Sequence, residues 1–125
     1  MSAILSLCML EIQVEELRTG VIVIRLPGKL IMGPESAAFE SAVNERLDAG
    51  ARDLVFDLSG LKQIDSTGIG RFISTYNRLL KISGTLGMAA AKPIVRQSFR
   101  VTRLDTVFKF YDSVDDAIAA IPAMK

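Results

Sequence analysis

The sequence predicts an α/β domain with a mixed, largely parallel sheet of about four or five strands flanked by about four helices. Three observations carry that expectation. Short β-branched runs alternate with amphipathic stretches along the chain. Their order is strand, strand, helix, strand, helix, strand, helix, strand, helix, and strands separated by helices pair in parallel. Finally, 125 residues, half of them hydrophobic, suffice for one continuous core and are too few for two ordinary domains.

Taken in order, residues 1–9 read as an N-terminal extension that frays, and 10–122 as the domain. The opening stretch is apolar but lacks a basic start and is too short to export the chain or span a membrane. Cys8 reads as a small hydrophobe, and Met9 is available as an alternative start. From Leu10 to Glu16, Leu10, Ile12 and Val14 alternate with Glu11, Gln13 and Glu15, the pattern of an edge strand with one wet face. Arg18-Thr19-Gly20 turns the chain into Val21-Ile22-Val23-Ile24-Arg25-Leu26, a continuous β-branched run of the kind expected where both faces of a strand are covered. Pro27-Gly28 and Gly33-Pro34 bracket a short irregular piece.

Ala37, Phe39, Ala42, Val43 and Leu47 recur at helical spacing, which predicts a helix over about 35–48 with Gly50 as its cap. Asp53 to Leu58 reads as a strand near the middle of the sheet. From Ser66 the residues Ile69, Phe72, Ile73, Tyr76, Leu79 and Leu80 form an apolar stripe opposite Arg71, Ser74, Asn77, Arg78 and Lys81, so an amphipathic helix runs to about Ser83-Gly84. Thr85 to Ala91 reads as a buried strand, and Pro93 opens a helix to about Arg103. Val107, Phe108 and Phe110 fit a last strand; Ser113 to Asp116 opens a closing helix, which Pro122 ends.

The inventory excludes several chemistries. The chain has no histidine, and Cys8 is its single cysteine, so a zinc cluster, a disulfide framework, a Ser/His/Asp triad and a Cys/His pair are all unavailable. Fifteen basic against fourteen acidic side chains leave a net charge of +1, too little to draw in nucleic acid or an anionic membrane. A cytoplasmic protein that neither binds nucleic acid nor inserts into a membrane is the expectation.

The unusual local chemistry is Asp57-Leu58-Ser59-Gly60-Leu61-Lys62-Gln63-Ile64-Asp65-Ser66-Thr67-Gly68-Ile69-Gly70, joining the buried strand to the amphipathic helix. Ser66 stands where an N-cap would stand, and capping alone would account for it. Capping does not account for Gly68 and Gly70, since each glycine in a helix costs roughly 0.8–1.0 kcal/mol relative to alanine. Exposed N–H groups at the positive end of a helix suit an anion, and residues without side chains let another active site approach. Both properties suit a serine that becomes phosphorylated, so a plain cap and a functional serine both remain open on spacing alone. Asp65-Ser66-Thr67-Gly68 has one residue too many for the Asp-Thr-Gly of aspartic proteases. Thr67-Gly68-Ile69-Gly70 lacks the third glycine of a dinucleotide loop and the Gly-Lys-Ser/Thr of a phosphate loop.

Over about 10–121 the order of elements resembles the STAS domain of bacterial anti-sigma factor antagonists, and Ile64-Asp65-Ser66-Thr67-Gly68-Ile69-Gly70 resembles that family's hydrophobic-Asp-Ser-Ser/Thr-Gly-hydrophobic-Gly signature. The resemblance implies a STAS fold and a non-enzymatic, protein-binding switch with Ser66 as phosphoacceptor. Asp65, Ser66, Thr67, Gly68, Ile69, Gly70 and Arg71 would then meet the partner. Asp65 would orient the hydroxyl or shape the contact, and the glycines would permit close approach. The implied partner is an anti-sigma factor that is also a serine kinase of the histidine-kinase-like ATPase fold; it brings the ATP and magnesium, so the module needs no cofactor. A PP2C-type phosphatase would reverse the modification. One departure is Thr102-Arg103-Leu104, where many relatives have Ser-Gly-Leu.

Two competing functions are an adaptor docking on a transporter or ABC-type ATPase complex, and a small hydrolase or phosphotransferase using Ser66 and Asp65. The enzyme would have only carboxylates for general-base work. Lys92, Arg96, Arg100 and Arg103, spaced by four, four and three, are expected to form one basic helix stripe: a solvated face, or a docking surface for an acidic patch.

Overall fold

The β-branched run Val21 to Ile24 shows how the chain is layered. The computed structural model describes residues 12–18, 20–26, 28–31 and 34–121. Within it Ile22 and Ile24 of strand β2 (Val21–Arg25) join one hydrophobic core while Val21 and Val23 join another on the opposite side of the sheet. The residues alternate because strand side chains do, and both faces are covered, which is why Val21 to Ile24 are all apolar; Arg25, at the strand's end, is partly exposed and pairs with Glu15 and Asp57.

β1 (Gln13–Arg18) pairs antiparallel with β2 at the sheet edge, with an irregularity between Glu16 and Arg18. β2 then pairs in parallel with β4 (Asp53–Asp57), β4 with β6 (Thr85–Ala89) and β6 with β7 (Lys109–Tyr111). The resulting order β1-β2-β4-β6-β7 puts β4 at the centre, as its pattern predicts. The sequence pattern leaves two segments in irregular connections that the structure instead joins. β3 (Gly28–Leu30) and β5 (Leu61–Ile64) form a small parallel sheet of their own. Runs of three and four residues are too short to display a period.

Among the described residues four helices complete the fold: α1 (Pro34–Asp48), α2 (Ser66–Lys81), α3 (Pro93–Val101) and α4 (Val114–Ala119). α3 ends two residues before its expected limit, and a 3-10 turn over Leu104–Thr106 leads toward β7. Phe108, expected within the last strand, is buried just before it. Ser113 caps α4 by accepting a hydrogen bond from the Asp116 amide at 3.0 Å. The larger core centres on Phe72 of α2, whose ring lies 5.0 Å from both Phe39 and Phe56, 5.8 Å from Phe99 and 6.4 Å from Phe108. Tilted and edge-to-face rings at these separations add to the area they bury. α4 covers the other face, where Ala117 packs with Val21, Val23, Val55 and Ala89. The expectations for residues 1–9, Cys8, Met9, Leu10, Glu11 and Pro122 fall outside the described residues.

Candidate functional site

The segment from the end of β4 to Asp65 aims the start of α2. At the end of β4, Asp57 Oδ1 accepts the Ser59 amide at 3.0 Å, an Asx turn, and the Leu61 amide reaches back to the Leu58 carbonyl at 3.0 Å. β5 then runs alongside β3, and the Asp65 amide donates to the Leu30 carbonyl at 3.3 Å. The small sheet thus sets the direction in which the chain enters the helix.

The residue that caps α2 is Asp65, not Ser66. Asp65 has extended backbone angles (φ −118°, ψ −172°), its carboxylate accepts the Gly68 amide at 3.0 Å, and its carbonyl accepts the Ile69 amide at 3.0 Å. Ser66 stands one position further on, as the first helical residue. Aspartate and serine cap about equally well, so two adjacent cappers leave the phase of the helix undetermined in the sequence. The consequence is chemical. Ser66 is exposed, and among the described residues its hydroxyl makes no hydrogen bond. It sits at the positive end of a sixteen-residue helix.

The two glycines serve different ends. A Cβ on Gly68 would collide with the Leu30 carbonyl oxygen and come within 2.8 Å of the Ile64 side chain, so Gly68 lets α2 press against β3 and β5. Its bareness is required by internal packing, a reason the sequence does not reveal. A Cβ on Gly70 would meet nothing within 4 Å, so no internal contact explains that glycine.

The seven candidate residues therefore divide by exposure. Ser66 is exposed; Asp65, Thr67, Gly70 and Arg71 are half-buried; Gly68 and Ile69 are buried, Ile69 belonging to the larger core. Arg71 turns toward α1: its Nε donates to Ser36 Oγ at 2.6 Å and its Nη1 to Glu40 Oε1 at 2.5 Å. Two turns on, Arg78 bonds Asn44 at 2.7 Å and Asp48 at 3.2 Å. This ladder holds α1 beside α2 with both N-termini toward the same end. Ser36 and Glu40 are part of the site's support that sequence patterns miss, because their partner lies more than thirty residues away. The polar stripe of α2 is the signal that could have pointed to them.

The predicted basic stripe is broken. Arg96 and Arg100 lie on α3, Lys92 is its N-cap residue, and Arg103 lies past its end with φ +64°. Among the described residues no group of three His, Cys, Asp or Glu could hold a metal ion, and no helix is long and apolar enough to cross a membrane.

A model of the STAS domain matches residues 12–117. The crystal structure of an anti-sigma factor antagonist from Mycobacterium paratuberculosis is 30% identical, covers 90% of this chain and 94% of its own, and superposes with a TM-score of 0.78. A Bordetella bronchiseptica protein named as the anti-sigma factor antagonist BtrV is 27% identical over 81% of this chain and 86% of its own length. The Bacillus cell fate determinant SpoIIAA, solved in its phosphorylated form, shares the fold at 19% identity, with a TM-score of 0.70 over 86% of this chain and 96% of that one.

Proposed function

The chain belongs to the STAS domain family, and from that premise we propose that it is an anti-sigma factor antagonist whose docking surface is switched off by phosphorylation of Ser66. The observation that carries this reading is the exposed Ser66 hydroxyl, left unengaged because Asp65 makes the cap. Around it Thr67 and the unobstructed Gly70 offer a low surface over which a partner's active site can close. That one relative of the same fold exists in a phosphorylated form agrees with it.

In the unmodified state the module binds an anti-sigma factor, which thereby releases its sigma factor. That partner is a serine kinase of the histidine-kinase-like ATPase fold, working in the cytoplasm with its own ATP and magnesium. The γ-phosphoryl group passes from ATP to Ser66 Oγ, ADP leaves and the hydroxyl proton is given up. The modification adds roughly one and a half to two negative charges beside Asp65. The N-terminus of α2 offsets part of that repulsion, by about 0.3–1 kcal/mol at an exposed site. The fold therefore survives, while an apolar or acidic surface docked there does not. A PP2C-type phosphatase restores the active form, and the module itself catalyses nothing.

The test is to incubate the chain with ATPase-fold anti-sigma factor kinases of its own organism and ATP, following intact mass and complex formation. One phosphate should appear, should be absent in Ser66→Ala, and should weaken the complex as Ser66→Glu does. No transfer, with co-purification on transporter subunits instead, would overturn the switch in favour of an adaptor.

A further inference from the structure

Among the described residues the sheet ends at β7, and part of the broken basic stripe converges beside it. A groove of about 500 Å³ opens between α3, the turn Leu104–Thr106 and β7, with Arg96, Arg100, Lys109 and Asp105 in its wall. Successive residues of a strand point to opposite faces, so a cavity touching every residue from Phe108 to Tyr111 must run along the strand's edge. β7 is last in the sheet order, and among the described residues no strand follows it. The N–H and C=O groups on its outer side therefore have no ladder partner, which is the template an added strand needs.

Charge gives the groove a sign. Arg25, Arg71 and Arg78 are each in an ion pair, whereas among the described residues Arg96, Arg100 and Lys109 are in none. All three are exposed, and among the described residues Asp105 is the one carboxylate in the groove wall. Arg96 is held in place over the Phe110 ring, 5.3 Å from its centroid.

We propose that this groove is a second docking surface, which takes an extended acidic segment of a partner protein as an added strand along β7, its carboxylates meeting Arg96, Arg100 and Lys109. Main-chain pairing supplies affinity and the cations select the segment. A small anion would satisfy the cations and leave the strand edge unpaired, so a chain fits the groove better. The groove includes none of residues 65–71, so the surface is separate from the switch and stands whether or not Ser66 is ever modified.

The test uses the full chain and a short labelled peptide of alternating valine and glutamate, with amide NMR as the readout. Competitors are a copy carrying proline at the central valines, which has no amide donors there, and inorganic pyrophosphate. The peptide should bind, shift the amides of residues 108–111, and bind at least about tenfold more weakly to Arg96→Glu/Arg100→Glu. Should that variant fail to fold, Lys109→Glu keeps Arg96 on Phe110 and should weaken binding in the same direction. Absence of binding, equal binding by the proline copy, affinity indifferent to charge reversal, or displacement by pyrophosphate at equal concentration would each overturn the proposal.

Discussion

The Asp65 carboxylate accepts the Gly68 amide at 3.0 Å, and this bond takes the capping role away from the serine beside it. Losing an N-cap typically costs about 1 kcal/mol, whereas an exposed N1 hydroxyl without a partner costs almost nothing to remove. Urea unfolding should therefore show Asp65→Ala destabilised by about 1 kcal/mol and Ser66→Ala within about 0.5 kcal/mol of the parent. Asp65→Ser should recover most of the loss. An equal penalty at both positions would mean that Ser66 shares the cap.

Gly68 and Gly70 should respond in opposite senses to the same substitution. In Gly68→Ala the new methyl meets the Leu30 carbonyl and the Ile64 side chain, so overpacking of about 1–3 kcal/mol outweighs the better helix propensity. In Gly70→Ala the space is open, and the helix gains up to about 1 kcal/mol. If Gly70 is bare so that a kinase can approach Ser66, Gly70→Ala melts at a higher temperature yet is phosphorylated more slowly. A variant both more stable and equally good as substrate would show that the glycine has no part in recognition.

Where the sequence is informative, the reason is periodicity sustained over several turns. In α2 the stripe correctly puts Ile69, Phe72 and Leu79 in the core, though Ile73 and Leu80, on the margins of that stripe, remain 37% and 56% exposed. β2 and β4 are legible because burial on both faces leaves their middles, Val21 to Ile24 and Leu54 to Phe56, wholly apolar. β3 and β5 are illegible for a physical reason: each is specified by its pairing with a segment some thirty residues away rather than by its own pattern. The site is legible as a motif but not in its phase, since Asp65 and Ser66 are both competent caps. Nor does any local signal say that Gly68 lies against Leu30 or that Arg71 bonds Ser36.

The contacts of Arg71 with Ser36 and Glu40 predict a positioning role. Its side chain is 31% exposed and that of Glu40 46%, so solvent screens the pair, and a double-mutant cycle with Glu40→Ala should give a coupling of about 0.5 kcal/mol. Arg71→Met keeps much of the aliphatic packing and removes the bonds to α1. If Arg71 meets the partner only through the placement of α1, Arg71→Met and the double variant Ser36→Ala/Glu40→Ala, which removes both of its acceptors, should weaken the complex to a similar extent. A much larger loss for Arg71→Met alone would put the guanidinium in direct contact with the partner.

Arg103 lies in the turn that follows α3, and its backbone lies at φ +64°, ψ +19°. The conformation is held by neighbouring bonds: the Arg103 amide donates to the Arg100 carbonyl at 2.9 Å, and its own carbonyl accepts the Thr106 hydroxyl at 2.9 Å. A non-glycine residue in the left-handed region costs roughly 1–2 kcal/mol, and glycine's greater freedom in the unfolded chain returns part of that. Arg103→Gly should therefore raise stability by about 0.5–1 kcal/mol, while Arg103→Ala, which keeps the Cβ, should not. Because Arg103 lies outside the groove wall that Arg96, Arg100 and Lys109 share, Arg103→Gly should also leave acidic-peptide binding unchanged. A stabilised variant with weakened peptide binding would extend the docking surface to this turn, and a destabilised one would show that the arginine side chain contributes more to the fold than its backbone costs.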